Sequence, residues 1–409
     1  MKSRILALKR QTLVALTVAA VALIGILAVG VGVVPASSGA AASEPPILIG
    51  EIAGTTGAYG STGVAVVHGA QVAVAHLNAN GGILGRKVEL AWYDDNASAT
   101  VSSEEFRRLI TAGAVVIVGS PDTGPATVAE STRYKIPDVG IIDDGGPTIY
   151  TKGIDGPPSP WAWGFSINNY GMGQLSAEYA LKHCPGGKFA ILHDTTTYGL
   201  GLSQSAAQVY KAAGKQLSLN DSITENWSTG AVVDLTSEIN KVKATGAKCV
   251  DVWLTPQDTA GFLQQANSLG DKFIVFGNDE VYATNTFVQL AGKLANGVIS
   301  AEQATALKPN AVTDSFNKQF GAMFRPAKGY NTTYAQATYD AILIVAQAIT
   351  KENSTGPSKI QYALNHTTNF PGATGVISFT PQQHQSMTAA TMVLIQYNAS
   401  TGTWNKLSM

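Results

Sequence analysis

Six short polar stretches, each following an apolar run, hold the side chains best placed for chemistry in this 409-residue chain. They are Gly54-Thr-Thr-Gly-Ala-Tyr-Gly60, Ser120-Pro-Asp-Thr-Gly124 and Asp143-Asp-Gly-Gly146 in the first half. Asp194-Thr-Thr-Thr-Tyr198, Thr255-Pro-Gln-Asp258 and Gly277-Asn-Asp-Glu280 follow in the second. Together they offer hydroxyls, carboxylates, aromatic faces and exposed backbone, and where a helix follows, its first N–H groups can receive an anion. That is the chemistry of holding a small polar molecule. Motifs for turning one over are missing. There is no G-x-x-x-x-G-K-[ST] and no G-x-S-x-G. Gly171-Met-Gly173 lacks a third glycine at dinucleotide-loop spacing, and the six His show no metal-ligand spacing. His193-Asp194 is the one suggestive pair, and it reads first as a strand-end histidine bonded to backbone. The expectation is therefore no catalytic residue, no metal and no cofactor.

The elements that must position these stretches alternate between strand and helix. Strands are expected at Ile47–Ile52, Lys87–Tyr93, Ala114–Gly119, Val139–Ile142, Phe189–His193, Gln216–Asn220, Cys249–Leu254 and Phe273–Phe276. Strand followed by helix followed by strand is the signature of a parallel sheet, whose carboxyl ends carry the binding loops. The first helix is expected to begin at an N-cap of Ser61 or Thr62, to bury Val64, Val67, Val74 and Leu77, and to stop at Gly81-Gly82. Four strands precede Pro160 and four follow it, so two similar α/β lobes are the economical reading. Pro157-Pro-Ser-Pro-Trp-Ala-Trp163 marks a first crossing between them. Later elements, a strand at Val298–Ala301, a helix at Tyr334–Thr350 and strands at Val376–Phe379 and Thr391–Tyr397, look like returns of the chain.

Charged residues make up only 13% of the chain, about half the usual quarter, and the net charge is −1, so no basic face is offered to nucleic acid. The amino terminus carries Lys2, Arg4, Lys9 and Arg10, then runs without charge from Thr12 to Val34. With the small residues Ala36 to Ser43 behind it, this reads as a secretory leader cut after Ala42; an uncleaved anchor is the alternative. Removing those four basic residues turns −1 into −5 for the exported chain. Cys184 and Cys249 each stand just before an apolar run. Parallel neighbouring strands would bring them together as one structural disulfide in an oxidising compartment, with two free buried thiols as the alternative.

Leu77-Asn-Ala-Asn-Gly-Gly-Ile-Leu-Gly-Arg-Lys-Val-Glu-Leu90 followed by Tyr93-Asp-Asp95 resembles the helix exit and second strand of the type I periplasmic binding proteins, in the leucine/isoleucine/valine-binding branch. Gly57-Ala-Tyr-Gly60, Ile191-Leu-His-Asp-Thr-Thr-Thr-Tyr-Gly199, Tyr339-Asp-Ala-Ile342 and Gly375-Val-Ile-Ser-Phe379 continue the resemblance in order. It implies an α/β fold of two similar doubly wound parallel-sheet lobes joined by three hinge crossings near Trp163–Ser166, Val298–Ala301 and Gly372–Val376. Residues 43–164 plus 300–373 would form one lobe and 165–299 plus 374–409 the other, behind a 1–42 signal peptide. It further implies an exported monomer that closes over a small ligand, a branched-chain or related amino acid, and delivers it to the membrane permease of an ABC importer. A receptor-type sensing module, or a binder of amide-like or aromatic solutes, is the alternative.

Carried over residue by residue, Tyr59 and Tyr198 would cover the ligand, Asp279 would face its ammonium, and Ser120 or Thr123 would supply the hydroxyl for its carboxylate. The sequence departs from the family at three places. Asp122 stands where the shorter second loop could aim a negative side chain at that carboxylate. Gly145 replaces a threonine, leaving Asp143 or Asp144 as substitute acceptor, and Thr255 replaces a tyrosine. Extra carboxylates and a smaller aromatic cage suggest a cationic, amide-like or more polar ligand. Trp161 and Trp163 read as hinge packing rather than ligand stacking.

Overall fold

The computed structural model describes residues 44–409 apart from 58–59, 141–147, 151, 153–155, 228 and 328–329. The leader and the expected site residues Tyr59, Asp144 and Gly145, with Asp143, lie outside the described residues. No helix among the described residues is long and apolar enough to cross a membrane.

Strands β1 (Ile47–Ala53), β2 (Val88–Asp94) and β3 (Val116–Val118) form a parallel sheet in the order β2-β1-β3. Asp138 extends it through parallel bridges to Ile117 and Ala162. A second sheet has seven strands: β4 (Phe189–Asp194), β5 (Leu219–Ile223), β6 (Cys249–Trp253), β7 (Ile274–Gly277), β8 (Ile299–Gln303), β11 (Met392–Asn398) and β12 (Thr403–Lys406). Their order is β12-β11-β8-β7-β6-β4-β5. Pairing is parallel from β8 to β5, while β11 runs antiparallel to β8 and β12, so one edge of this sheet is mixed. β9 (Phe370–Pro371) and β10 (Val376–Ile377) pair only with each other. The α/β class and the dominance of parallel pairing hold as expected.

Local chemistry explains where the boundaries fall. The helix Gly60–Ala79 already includes Ser61 and Thr62, so neither is its cap. Its buried side chains include Ala65, Val66, Val67, Ala70, Val72 and Ala73, on more than one face, whereas Val64, Val74 and Leu77 are only half buried. A helix wedged between a sheet and another helix needs small residues around its circumference. The second helix is Thr333–Glu352, close enough that a Cβ added at Gly69 would come within 2.2 Å of the Ala335 carbonyl oxygen. Gly81 and Gly82, at φ +92° and +78°, end the first helix as expected. β5 lies three residues beyond its expected place because it is an edge strand whose register comes from β4, Ala190 opposite Leu219, and not from its own polar Asn-Asp-Ser pattern.

Cys184 and Cys249 are joined in a disulfide with Cα atoms 5.9 Å apart. Cys249 opens β6 opposite Phe189 of β4, the juxtaposition that parallel neighbours require.

Two of the segments expected near crossings take part in a sheet or a core. Ile299–Gln303 is an interior strand of the second sheet, and Ile377 and Phe379 belong to the core of the first sheet together with Phe316, Tyr339 and Phe370. Gly164 instead bridges Gln385: Gly164 N–H donates to the His384 carbonyl at 2.9 Å, and Ser386 N–H donates to Gly164 at 2.9 Å. Apolar strand-like text alone does not separate a crossing strand from a sheet strand. Trp163 is fully buried and stacks on His384 with ring centroids 4.7 Å apart, which makes it packing at this junction.

Candidate functional site

A cleft of about 310 Å³ opens between the carboxyl ends of the two sheets. Ala97, Ala99, Pro121, Asp122, Thr123 and Ala126 line it from the first half; Thr196, Thr197, Tyr198, Trp227 and Glu280 line it from the second. Helices Ala99–Thr111, Gly124–Tyr134 and Thr197–Ala212 begin at its edge. A parallel sheet places strand ends and helix starts on one rim, so loops remote in sequence meet there.

The first wall is set by the paired carboxylates that end β2. Asp94 accepts from Thr55 N–H at 3.0 Å and from the Thr56 hydroxyl at 2.8 Å, holding the loop after β1. Burial alone would raise its carboxyl, but donors from Asn96, Thr56 and Thr55 outweigh that and hold it below the ordinary value. Asp95 is fully buried and accepts from the Thr123 hydroxyl at 2.8 Å and from Ala97 N–H at 3.0 Å. Thr123 has one hydroxyl proton, and giving it to Asp95 leaves none to donate to a ligand carboxylate. Ser102 Oγ lies 2.6 Å from the same oxygen. Thr123 thus lines the cleft with its hydroxyl proton on Asp95. Ser120 is fully buried, and its hydroxyl has no hydrogen-bond partner among the described residues, yet it does not line the cleft. Asp122 does line it.

In the second wall the Tyr198 hydroxyl donates to Asp279 Oδ1, and the Tyr334 hydroxyl donates to Asp279 Oδ2 at 2.7 Å. Burial pushes the Asp279 carboxyl up, and the two phenol donors partly offset this. Asp279 does not line the cleft; its neighbour Glu280 does. Tyr334 comes from the first helix turn of Thr333–Glu352, so Asp279 joins the second sheet's loops to a helix packed on the first.

Thr255 caps the helix Pro256–Ser268, accepting from Asp258 N–H at 3.2 Å, and is not among the residues that line the cleft. Its own N–H donates to Glu225 Oε1 at 2.7 Å. Glu225 is buried, and desolvation together with the neighbouring Asp258 and Asp194 pushes its carboxyl up to about 9. Asp194 accepts from Thr196 N–H at 2.6 Å, which fixes the Thr196–Tyr198 turn. His193 Nδ1 lies 2.6 Å from the Asp194 carbonyl oxygen, so the histidine is satisfied by backbone.

Among the expected site residues, the structure brings Asp122, Thr123 and Tyr198 to the cleft, with Asp279 behind Tyr198. Glu225 and Trp227 escaped the sequence reading because β5 ends at Ile223, three residues beyond its expected place, and Tyr334 because it lies on a helix and not after a strand. For Tyr334 the expected returning helix was the available signal. No group of three His, Cys, Asp or Glu among the described residues could hold a metal ion.

The periplasmic binding protein family model matches residues 46–403, nearly the whole described chain. The chain belongs to this family. It is a family of solute-binding proteins, and the type I, leucine/isoleucine/valine-binding branch implied by the sequence stands. A Leu/Ile/Val-binding protein homolog 3 of Brucella melitensis is 26% identical over 325 residues, covering 78% of this chain and 83% of the relative. Among solved structures, a type 1 periplasmic binding protein from Bordetella pertussis Tohama I aligns with a TM-score of 0.80 at 19% identity, covering 89% of this chain and all of that one. The branched-chain amino acid transporter substrate-binding protein LivJ from Streptococcus pneumoniae, in complex with isoleucine, aligns at 0.73 and 20% identity, covering 88% and 99%. The periplasmic binding protein architecture therefore frames the cleft as the place where a solute would sit.

Proposed function

We propose that this periplasmic binding protein captures a small polar solute, a branched-chain or related amino acid, in the cleft between its two sheets and delivers it to the permease of an ABC importer. The observation that carries the reading is the cleft itself, built from strand ends of both halves, lined by Tyr198 and Trp227, and rimmed by helix starts. The names of the Brucella relative and of the isoleucine-bound structure support the ligand class. In this reading residues 44–164 with 304–384 form one lobe and 165–303 with 385–409 the other, and the lobes close over the solute by a hinge at Gly164 and Gln385. The protein acts as an exported monomer without catalysis of its own, its leader cut after Ala42. Tyr59, Asp144 and Gly145 complete the binding shell, and Asp279 holds Tyr198 and Tyr334 in place for closure.

A ligand bound only to the folded state stabilises it by RT ln(1 + [L]/Kd), about 2.7 kcal/mol at one hundred times Kd. Thermal unfolding with each α-amino acid, short amides, urea and aromatic acids is expected to reveal one class with a saturable rise in Tm and 1:1 stoichiometry. A chain whose Tm responds to none of them does not carry such a solute.

A further inference from the structure

The first turn of the helix Thr333–Glu352, with the residues just before it, reaches from the first half to the second at three places. The Tyr334 hydroxyl donates to Asp279 Oδ2 at 2.7 Å, the Asn331 side-chain amide donates to the Tyr282 carbonyl at 2.9 Å, and Gln336 Oε1 accepts from Gln303 Nε2 at 3.1 Å. Asp279 precedes the short helix Glu280–Ala283 and Tyr282 lies within it, and this helix brings Glu280 to the cleft. Asp279 also receives the Tyr198 hydroxyl. One turn that does not line the cleft therefore holds two elements of its second wall.

The turn is braced on its own side. Asn331 Oδ1 accepts from Thr333 N–H at 2.8 Å and from the Thr333 hydroxyl at 2.7 Å, which fixes the amide with its Nδ2 towards Tyr282. Gln336 Nε2 donates to the Thr332 hydroxyl at 2.8 Å, and that hydroxyl donates to Asn317 of the helix Ala311–Phe324 at 2.9 Å. On the other side, Gln303 ends β8 and is fully buried, and its Oε1 has no hydrogen-bond partner among the described residues. Gln336 is thus what satisfies the Gln303 amide, and turning one half against the other would strip it of that partner. A buried amide left unpaired loses free energy that water does not return, so the pair resists the turn.

We infer that Asn331, Gln303 and Gln336 are positioning residues for solute capture: with Tyr334 they form a latch that sets the angle between the halves and places Tyr198 and Glu280 at the cleft without touching the solute. The consequence for solute access rests on the reading of the cleft as the solute site; the angle itself does not. Access to the cleft is then governed from a helix turn outside its lining.

The test is the distance between spin labels attached at Thr100→Cys and Leu200→Cys, exposed positions at the starts of the helices Ala99–Thr111 and Thr197–Ala212 on opposite rims of the cleft. It is measured by pulsed dipolar spectroscopy on the full exported chain without solute. Asn331→Asp keeps the acceptor for Thr333 and loses the donor to Tyr282; Gln303→Met keeps the side-chain length and loses the amide. Each is expected to move the distance distribution outward and broaden it, and the two together to move it further, with circular dichroism like that of wild type. A wild-type distribution in both single variants overturns the latch, even where Tm has fallen, because the bonds then add stability without setting the angle. Should the double variant fail to fold, the single variants decide. The distance is read without solute, so an unchanged distance leaves the solute-carrier reading standing, and failure of that reading in the thermal screen leaves the latch standing.

Discussion

The two walls of the cleft solve the same problem with carboxylates in opposite states. In the first, Asp94 and Asp95 end β2 as acceptors for backbone and hydroxyl donors from the neighbouring loops, and Asp94 is held below the ordinary carboxyl range. In the second, Asp194, Glu225 and Asp258 are buried together, and Glu225 keeps its proton up to about 9. Acceptors that stay ionised must be surrounded by donors. Carboxyls crowded behind β4 and β6 share negative charge at close range, and one of them escapes by staying neutral. Equal positions at the ends of parallel strands thus carry different chemistry, depending on how many donors the following loop can supply.

The halves also differ in how they are braced. The second has the Cys184–Cys249 disulfide, spanning 65 residues, and the first relies on helix packing across Gly69. Replacing both cysteines by serine is expected to cost about 2–4 kcal/mol. Hydrogen exchange should locate the loss in β4 and β6; uniform loosening of both sheets would mean the bridge does not brace its own half. Asp95→Asn comes next. It removes the charged acceptor of a buried hydroxyl, so a loss of about 2 kcal/mol in denaturant unfolding is expected, with ligand affinity falling as the Asp122 loop slackens. Wild-type stability in this variant would show that Thr123 finds another acceptor.

Much of this was legible in the sequence, for reasons that also explain the gaps. β1, β4 and β6 are apolar, β-branched runs whose ends are marked by loop residues, so their place and the disulfide between β4 and β6 could be read from pattern. Asp122 and Tyr198 reach the cleft because their loops follow such strands directly. The spacing around Thr123 says nothing of Asp95, 28 residues away in sequence, which takes its proton. The capping role of Thr255 was not legible, because a capping threonine and a ligand-binding one look alike until the helix after it is seen. Tyr334 approaches the site from a helix that the strand-end rule does not cover, and Trp227 from the loop after β5, whose end lies beyond its expected place. The His384–Ser386 segment that pairs with Gly164 has no pattern of its own.

Tyr334→Phe tests the link between the halves. It removes one donor from Asp279, so unfolding should become easier by about 1 kcal/mol. Because the lost bond joins a helix on the first sheet to a loop of the second, ligand affinity should fall as well. A change in stability with no change in affinity would confine Asp279 to scaffolding.

The sharpest contrast between the walls is Glu225→Gln, expected to have the smallest effect on stability near pH 5. There the wild-type carboxyl is already protonated in the folded state, and the amide replaces it with similar shape and no charge. The sign of the pH dependence follows from the raised value. The unfolded chain releases this proton near 4.5 and the folded chain only near 9, so the stability linked to Glu225 is complete below about 4.5 and drains as the pH rises towards 9. The slope for one such group is about 1.4 kcal/mol per pH unit. Glutamine cannot ionise, so the variant should lose less stability than wild type between pH 5 and 9, and the two unfolding curves should diverge in the variant's favour. Asp94→Asn, on the other wall, where the carboxyl is held below its ordinary value, should give no such gain with rising pH. Parallel pH profiles for wild type and Glu225→Gln would mean that Glu225 is ionised in the fold and that the two walls are alike.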